Sequence, residues 1–290
     1  MRKKILITGA GSYIGTCFEK YMRQWPDEYI IDTIDMKDGS WREKSFSGYD
    51  VIFHVAGIAH VSADVRFKEL YYKVNRDLAI ETAQKAKLEN VKQFIFMSSI
   101  IVYGADEPIG RDKVITMETE PSPADFYGDS KLQADIAIQK LADEKFTVSI
   151  LRPPMIYGPG CKGNFPKLLK FAKYALLFPD IRNKRSMLSI FSFNQFVRSI
   201  IDTENSGVFF PHDTGLISTT QIIFDIREIK GKRTFLIKIP GFLTLLLSKI
   251  KIFNKIFGNK FYKITANELN VASFKDNLRI ILSERAEHER

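Results

Sequence analysis

The feature that most constrains the fold is a glycine-rich turn between a short apolar run and a helix-like stretch. Residues 3–8 (KKILIT) have the composition of a buried strand, and the turn 8–15 (TGAGSYIG) follows at once. A helix-like stretch runs from about Tyr13 to Gln24. Glycine lets the backbone bend tightly and approach an anionic ligand closely, with helix N–H groups directed at it. This start therefore predicts a strand, a phosphate-binding turn and a helix.

An acidic residue follows the turn at the distance that a dinucleotide site requires. Residues 29–35 form a second strand-like run ending in Asp35, twenty residues after Gly15. A carboxylate there can accept hydrogen bonds from a ribose hydroxyl. It would repel the 2′-phosphate of NADP, so Asp35 favours NAD, although the nearby Lys37 weakens that inference. A turn without a ligand and an ordinary surface aspartate are the alternative interpretation.

The first half of the chain continues to alternate strands and helices. Further elements are predicted at 50–55, 74–88, 94–98, 124–142 and 147–151. Short apolar runs separated by helices are typical of a parallel sheet covered on both faces. We therefore expect an α/β fold with a Rossmann-type doubly wound parallel sheet. Prolines break the pattern after residue 152, which predicts an NAD-binding domain over 1–152 and, over 153–290, a smaller substrate-binding lobe interleaved with the sheet.

Three side chains could form a proton relay beside a nicotinamide. Tyr127 and Lys131 stand four residues apart, on one face of their predicted helix. A lysine ammonium close to a phenol favours the phenolate and lowers the pKa of the tyrosine. Ser99, at the end of its strand, could hydrogen-bond the same substrate oxygen. A packed tyrosine and a solvated lysine are the alternative interpretation.

Composition and charge narrow the function classes. Two distant cysteines, Cys17 and Cys161, and four scattered histidines predict neither a disulfide framework nor a metal site, which fits a reducing cytoplasm. The apolar run at residues 5–7 is too short for a secretory signal. The net charge of +9 suits an anionic partner, whether nucleic acid, acidic lipid or a pyrophosphate-bearing small molecule. Because no nucleic-acid reader motif is recognisable, we expect no nucleic-acid partner.

Six motifs, in order, resemble those of the extended short-chain dehydrogenases, the NAD-dependent epimerase/dehydratase family. They are TGAGSYIG, DVIFHVAG, KVN, MSSIIVYG, YGDSK and LRPPMIYGPG, and the resemblance covers roughly residues 3–200. It extends in particular to UDP-hexose 4-epimerases and related enzymes of bacterial surface-polysaccharide synthesis. It implies catalysis by Ser99, Tyr127 and Lys131. It also implies NAD binding by Gly9, Gly11, Ser12, Tyr13, Ile14, Gly15, Asp35, Val55, Ala56, Gly57, Asn75, Tyr127, Lys131 and Pro154.

The resemblance also implies substrate contacts. Ser99 and Tyr127 would meet the sugar, and Asn164 resembles an asparagine that meets the diphosphate of the sugar nucleotide. Arg185 resembles an arginine that clamps it, since a planar fork suits phosphate oxygens. A solvated charge is the alternative for Arg185, and a residue that kinks its helix is the alternative for Asn75.

Two departures from the family pattern bear on function. Ser12 stands where the family has the middle glycine of its turn, which leaves cofactor affinity less assured. Ile100 and Ile101 stand where 4,6-dehydratases carry an acidic residue or pair. Because neither isoleucine can move a proton, elimination of water is disfavoured.

The main hypothesis is therefore an NAD-dependent epimerase acting at C4 of a UDP-hexose through a 4-keto intermediate. A 4-ketoreductase of a deoxy or aminodeoxy nucleotide sugar, which consumes reduced cofactor, is the alternative, and a non-catalytic NAD(H)-binding protein is a third. By analogy with relatives, we expect a cytoplasmic homodimer paired through the helices at about 75–88 and 124–142.

The C-terminal region contains an apolar segment with interspersed lysines, residues 235–261. Its longest uncharged stretch, 239–248, is far below the about 20 residues that a membrane span needs. A basic amphipathic helix on an anionic membrane surface is one interpretation. We favour the other, a lobe helix that covers the substrate.

Overall fold

The computed structural model describes residues 2–59, 64–263 and 273–288 of the 290-residue chain. Its strands are β1 (Lys3–Thr8), β2 (Tyr29–Ile34), β3 (Val51–His54), β4 (Gln93–Met97), β5 (Val114–Ile115), β6 (Thr147–Leu151), β7 (Met155–Tyr157), β8 (Leu177–Asp180), β9 (Met187–Ser189), β10 (Gly207–Phe209), β11 (Phe235–Lys238) and β12 (Phe261–Tyr262). Its α-helices are α1 (Tyr13–Met22), α2 (Lys68–Tyr71), α3 (Leu78–Leu88), α4 (Phe126–Gln139), α5 (Asn164–Ala172), α6 (Ile190–Thr203), α7 (Thr219–Ile229), α8 (Gly241–Leu247), α9 (Lys251–Phe257) and α10 (Phe274–His288).

The chain forms two compact units. The first comprises Met1–Gly104, Glu120–Pro153 and Phe193–Pro211, and the second comprises Ala105–Thr119, Pro154–Ser192 and His212–Arg290. The predicted division at residue 152 differs from these units because 105–119 belongs to the second unit and 193–211 to the first. As an assignment of cofactor and substrate binding, that division stays a prediction.

The first unit contains a six-stranded parallel sheet in the order β10-β6-β4-β3-β1-β2. This confirms the expected α/β fold with a Rossmann-like sheet. After β2 the chain crosses to the other side of β1 to form β3, so the strand order reverses between β1 and β3. In open α/β sheets, ligands bind beyond the carboxyl ends of the strands at such a reversal.

The central strands are apolar because helices cover both faces of the sheet. All four residues of β3 are buried, and its Phe53 ring contacts Phe18 of α1 at 5.1 Å and Phe193 of α6 at 6.3 Å between ring centroids. A strand buried on both faces needs a continuous apolar run rather than an alternating one. The predicted strands and helices of this half agree with the structure to within a few residues, except that Tyr72–Asp77 is π-helical and precedes α3.

The second unit is built from short elements. Three two-stranded parallel pairs, β8 with β11, β5 with β12 and β7 with β9, lie among its helices. The segment 235–261, where both interpretations place a helix, forms a strand, β11, and two short helices, α8 and α9. Pro240, which lacks a backbone N–H, separates β11 from α8. None of the helices in the described part of the chain combines the length and hydropathy needed to cross a membrane.

Candidate active site

The glycine turn after β1 lies directly against the residues that follow β3. Gly9 has a φ of +104°, and a Cβ added to it would lie 2.9 Å from the Ala56 nitrogen. Gly11 has a φ of +72°, in the region that favours glycine. The two turns thus meet at the reversal of strand order, where a side chain on Gly9 would push them apart. This cradle fits a dinucleotide pyrophosphate approaching the backbone.

Ser12 has a structural role that explains the departure from a third glycine. Its φ is −70°, so no glycine conformation is needed, and its hydroxyl accepts from the Gly15 N–H at 3.2 Å. This is the usual N-cap of a helix. Gly15 is needed for a different reason, because a Cβ on it would lie 2.8 Å from the Ser12 hydroxyl oxygen. Tyr13 and Ile14 open α1, whose N-terminus favours an anion.

Asp35 lies just after β2 and is exposed. Its carboxylate accepts from the Lys37 backbone N–H at 3.0 Å and lies 3.3 Å from the Lys37 ammonium. The backbone hydrogen bond, supported by the ammonium, lowers the pKa of the Asp35 carboxyl below its usual value. The side chain is therefore an ionised acceptor, as a ribose hydroxyl requires.

The helix that carries Tyr127 packs on the turn that begins with Ser99. Asp125 caps α4 by accepting from the Gly128 N–H at 2.8 Å. A Cβ on Gly128 would lie 2.9 Å from the carbonyl oxygen of Ile101, so only glycine allows this approach. Ser99 caps the 3₁₀ turn Ile100–Tyr103 by accepting from the Ile101 N–H, and its hydroxyl is close enough to Tyr127 to lower the pKa of that phenol. The structure therefore brings the predicted serine and tyrosine together.

Lys131 lies on the same helix, buried beside Gly57. Its ammonium donates to the Met97 carbonyl at 2.9 Å and lies 4.9 Å from the centre of the Phe96 ring. A Cβ on Gly57 would lie 3.1 Å from the lysine nitrogen, so the residues after β3 touch both the glycine turn and a side chain of α4. Burial lowers the pKa of Lys131 to about 8, opposed by the Asp135 carboxylate.

The expected lowering of the tyrosine pKa by the lysine is not found. Burial raises the pKa of Tyr127 to about 12, and the hydrogen bond from Ser99 only partly opposes this effect. Tyr71, whose ring centroid lies 5.6 Å from that of Tyr127, raises it further. The reason is geometric, because the Lys131 ammonium is directed at the Met97 carbonyl.

Residues 5–188 match the NAD dependent epimerase/dehydratase family. The chain belongs to this family. It is therefore an enzyme of the extended short-chain dehydrogenase/reductase type, and NAD(P) is its cofactor. The glycine cradle and the ionised Asp35 described above fit that group.

Two named relatives align with this enzyme over most of its length. The UDP-glucose 4-epimerase of Vibrio cholerae is 29% identical over 281 residues, which span 89% of this chain and 83% of the relative. The N-acetyl-alpha-D-glucosaminyl-diphospho-ditrans,octacis-undecaprenol 4-epimerase of Escherichia coli O157:H7 is 25% identical over 284 residues, 90% of this chain and 83% of the relative. Both relatives are named as 4-epimerases.

Solved structures share the fold of this epimerase/dehydratase enzyme at lower identity. The UDP-glucuronic acid 4-epimerase of Bacillus cereus, in complex with NAD, is 17% identical with a TM-score of 0.73, over 99% of this chain and all of that one. The dTDP-4-dehydrorhamnose reductase of Bacillus anthracis, in complex with NADP, is 17% identical with a TM-score of 0.74, over 98% of this chain and all of that one. At this identity the likeness concerns the fold.

A buried ionic network that the sequence did not predict lies one helix turn from Lys131. Asp135 accepts from Arg152 at 2.8 and 2.9 Å and from the Ser98 hydroxyl at 2.8 Å. Arg152 also donates to the Tyr103 hydroxyl at 2.6 Å. The available signal was the spacing of Asp135, which follows Lys131 by four residues on the same helix face.

Asn75 lies in the π-helical segment and is fully buried. Its amide accepts from the Ile58 N–H at 2.8 Å and donates to the Ile58 carbonyl at 3.0 Å and to Ser130 at 3.3 Å. These contacts give Asn75 a structural role, because they hold the residue that follows Gly57; this role differs from the helix kink of the alternative interpretation. Direct contact with the cofactor stays a prediction.

Three predicted site residues of this enzyme, Pro154, Asn164 and Arg185, belong to the second compact unit. Asn164 is the exposed first residue of α5, and Pro154 is buried. Arg185 is not the solvated charge of the alternative interpretation, because it donates to Asp106 at 3.0 Å and to the carbonyls of Gly258 and Lys255 at 3.0 and 2.8 Å. A clamp on diphosphate, which stays a prediction, would have to use its remaining nitrogen, Nη1.

Proposed function

We propose that this enzyme interconverts the C4 epimers of a UDP-hexose, with NAD as its cofactor and a 4-keto sugar as intermediate. The observation that carries the proposal is that the Ser99 hydroxyl lies close enough to Tyr127 to lower its pKa, with the buried Lys131 one turn further along α4. Two relatives named as 4-epimerases, each matching about nine-tenths of the chain, support the position of the reaction on the sugar. Asp35, a carboxylate at the end of β2, supports NAD over NADP.

The three side chains divide the proton chemistry among them. Tyr127 exchanges a proton with the 4-hydroxyl oxygen of the sugar, and Ser99 hydrogen-bonds the same oxygen. Bound NAD supplies the hydride acceptor and donor. Tyr127 must first lose its own proton, and the Ser99 hydroxyl favours the phenolate by lowering the pKa of Tyr127. Lys131 would add to this effect once its ammonium turned from the Met97 carbonyl towards the phenol.

Dehydration at C5 and C6 is disfavoured by the turn that follows Ser99. Its first two residues, Ile100 and Ile101, carry no group that can give or take a proton. A 4-ketoreductase would use the same three catalytic residues, so it differs from an epimerase in consuming reduced cofactor at each turnover. The homodimer and the cytoplasmic location stay predictions.

A second candidate substrate is the same sugar on a polyprenyl diphosphate. The relative from Escherichia coli O157:H7 is named for such a lipid-linked sugar. The specific observation that favours it here is the apolar exposure on and just after α5, the helix that begins at Asn164, where Phe171 is 54% exposed and Tyr174 79%. A lipid carrier needs an apolar surface that a nucleotide carrier does not.

The test is to denature the purified enzyme, identify the released nucleotides by mass spectrometry, and assay the intact enzyme without added cofactor. We expect near-stoichiometric NAD and conversion of UDP-glucose or UDP-N-acetylglucosamine to its C4 epimer. Enzyme that releases no NAD and oxidises NADPH only with a 4-keto sugar is a ketoreductase. Turnover restricted to a polyprenyl-diphosphate sugar would select the second candidate.

Substitution of the proposed proton carrier gives a sharper test. Tyr127→Phe should lower kcat about a hundredfold or more, because positioned proton transfer contributes that much to such reactions. Tyr49→Phe is the matched control, since its hydroxyl donates to Asp32 of β2 at 2.6 Å, away from the three catalytic residues. Epimerisation by Tyr127→Phe at the rate of the control would refute the role given to Tyr127.

A further inference from the structure

An apolar surface on the second compact unit is not explained by its own packing. All four residues of β11 are exposed, and its neighbour in register with Phe235, Leu177 of β8, is 61% exposed. On α8, Phe242 and Leu246 lie four residues apart on one helix face and are 76% and 59% exposed. Exposed apolar residues that follow one another so closely along the chain indicate an interaction surface.

Helix α9 shows most clearly that this exposure is not a by-product of core packing. Its inner face carries Phe257, which is buried and lies 5.9 Å from the Phe178 ring of β8, between centroids. Its other face carries Ile252 and Ile256, four residues apart and 64% and 38% exposed. A short helix that only covers a core would carry polar residues there. The second apolar face of α9 is therefore a candidate for contact with a partner.

The charge of the same segment identifies the chemistry of its partner. Residues 229–263 contain nine lysines and arginines and no aspartate or glutamate. Lys238, Lys249 and Lys255 are exposed between the apolar side chains. Long basic side chains that flank exposed aliphatic ones suit a partner whose interior is apolar and whose surface is negatively charged. A second copy of the chain would bring the same positive charges together, which disfavours self-association.

We propose that β11, α8 and α9 form a docking surface for an anionic phospholipid bilayer. The exposed isoleucine, leucine and phenylalanine side chains enter the boundary between headgroups and acyl chains, and the lysines contact acidic headgroups. The enzyme then lies on the membrane without crossing it. The inference does not depend on whether a nucleotide or a polyprenyl diphosphate carries the sugar.

The first test is sedimentation of the full-length enzyme with phosphatidylcholine vesicles, with and without phosphatidylglycerol. We expect the enzyme to sediment with the anionic vesicles. Ile252→Gln combined with Ile256→Gln should weaken partitioning about tenfold or more, because two partly buried aliphatic groups are lost. The control is Leu88→Gln combined with Ile136→Gln, two exposed apolar residues of the first unit, which should partition like the unchanged enzyme.

The second test concerns charge. Lys249→Gln combined with Lys255→Gln should reduce binding to anionic vesicles, whereas Lys20→Gln combined with Lys44→Gln, in the first unit and with the same change in net charge, should reduce it less. Activity on a water-soluble UDP-hexose should be equal in all four variants, which separates this inference from the proposed function.

Three results would overturn the proposal. The intact enzyme could fail to sediment with either vesicle, or the isoleucine variant could sediment as well as the intact enzyme. Light scattering could also show that the isoleucine substitutions convert a dimer to a monomer while vesicle binding is absent, in which case the surface joins two copies of the chain.

Discussion

At the scale of single residues, the site depends on a cation held in a buried position. Lys131 is 6% exposed, and burial lowers its pKa from 10.5 to about 8. The Met97 carbonyl and the Asp135 carboxylate, four residues along the same helix, offset part of the cost of burying that charge. The protein therefore keeps a destabilising group at the predicted site, as functional sites commonly do.

Lys131→Met should raise the free energy of unfolding at neutral pH while abolishing activity. The pKa of Lys131 is lowered from 10.5 to about 8. Between about pH 8 and pH 10.5 the folded state has therefore lost a proton that the unfolded state still holds. The stability of the unchanged enzyme therefore rises across that interval, by about 3 kcal/mol from this group. We expect the advantage of the variant, measured by urea unfolding, to be largest below pH 8 and to shrink towards pH 10.5. A difference that does not vary with pH would contradict the account.

Asp135→Asn should destabilise the enzyme strongly. The change leaves the Arg152 guanidinium buried without its carboxylate, and breaking a buried pair in this way costs about 3–5 kcal/mol. Because Asp135 also raises the pKa of Lys131, the variant should move the lysine titration below pH 8. Glu19→Gln, which breaks the exposed pair with Arg23, is the control and should cost less than about 1 kcal/mol. Equal losses of unfolding free energy in the two variants would show that the buried pair stabilises the protein no more than the exposed pair does.

At the scale of elements, the catalytic geometry comes from the close packing of α4 on the turn after β4. Gly128→Ala should disturb it, because a Cβ there would lie 2.9 Å from the Ile101 carbonyl oxygen and 3.0 Å from the Pro123 Cβ. We expect a loss of about 1–3 kcal/mol in unfolding free energy and a lower kcat, since the helix must move away from the turn that holds Ser99. Gly241→Ala is the matched control, as nothing lies within 4 Å of a Cβ at that position. An unchanged kcat in Gly128→Ala would mean that the close packing of α4 on this turn does not position Ser99 and Tyr127 for the reaction.

The sequence predicted well those elements whose conformation is determined by their own residues. Buried parallel strands need continuous apolar runs, so β1, β3, β4 and β6 could be located to within one or two residues. The glycine turn could be located because its backbone angles demand glycine. The segment 235–261 could not be predicted, because an apolar run with lysines suits a strand or a helix equally and only the pairing of β11 with β8 decides between them.

Within the site, the sequence revealed residue types but not their partners. Ser99 and Tyr127 could be predicted from their motifs, and the structure joins them. The orientation of Lys131 towards Met97 depends on a backbone carbonyl of another element, which no spacing encodes. The role of Arg185 likewise depends on the backbone carbonyls of Lys255 and Gly258, 70 and 73 positions along the chain.

At the scale of the whole molecule, the predicted cofactor site and the predicted catalytic residues depend on one arrangement in the first unit. The reversal of strand order at β1 and β3 gathers the glycine turn, Gly57 and Lys131 at one edge of the sheet. The fold is shared with a UDP-glucuronic acid 4-epimerase and with a dTDP-4-dehydrorhamnose reductase, so it does not choose between the two reactions. That choice depends on what happens to the hydrogen at C4 of the sugar.

The most direct measurement is turnover of UDP-glucose and UDP-N-acetylglucosamine that carry deuterium at C4, with no cofactor added, followed by NMR of the products. The account predicts the C4 epimer with its deuterium retained, because the hydride leaves C4 and returns to the same carbon. A product that has exchanged its deuterium for solvent hydrogen, or the absence of an epimer from both sugars, would contradict a UDP-hexose 4-epimerase.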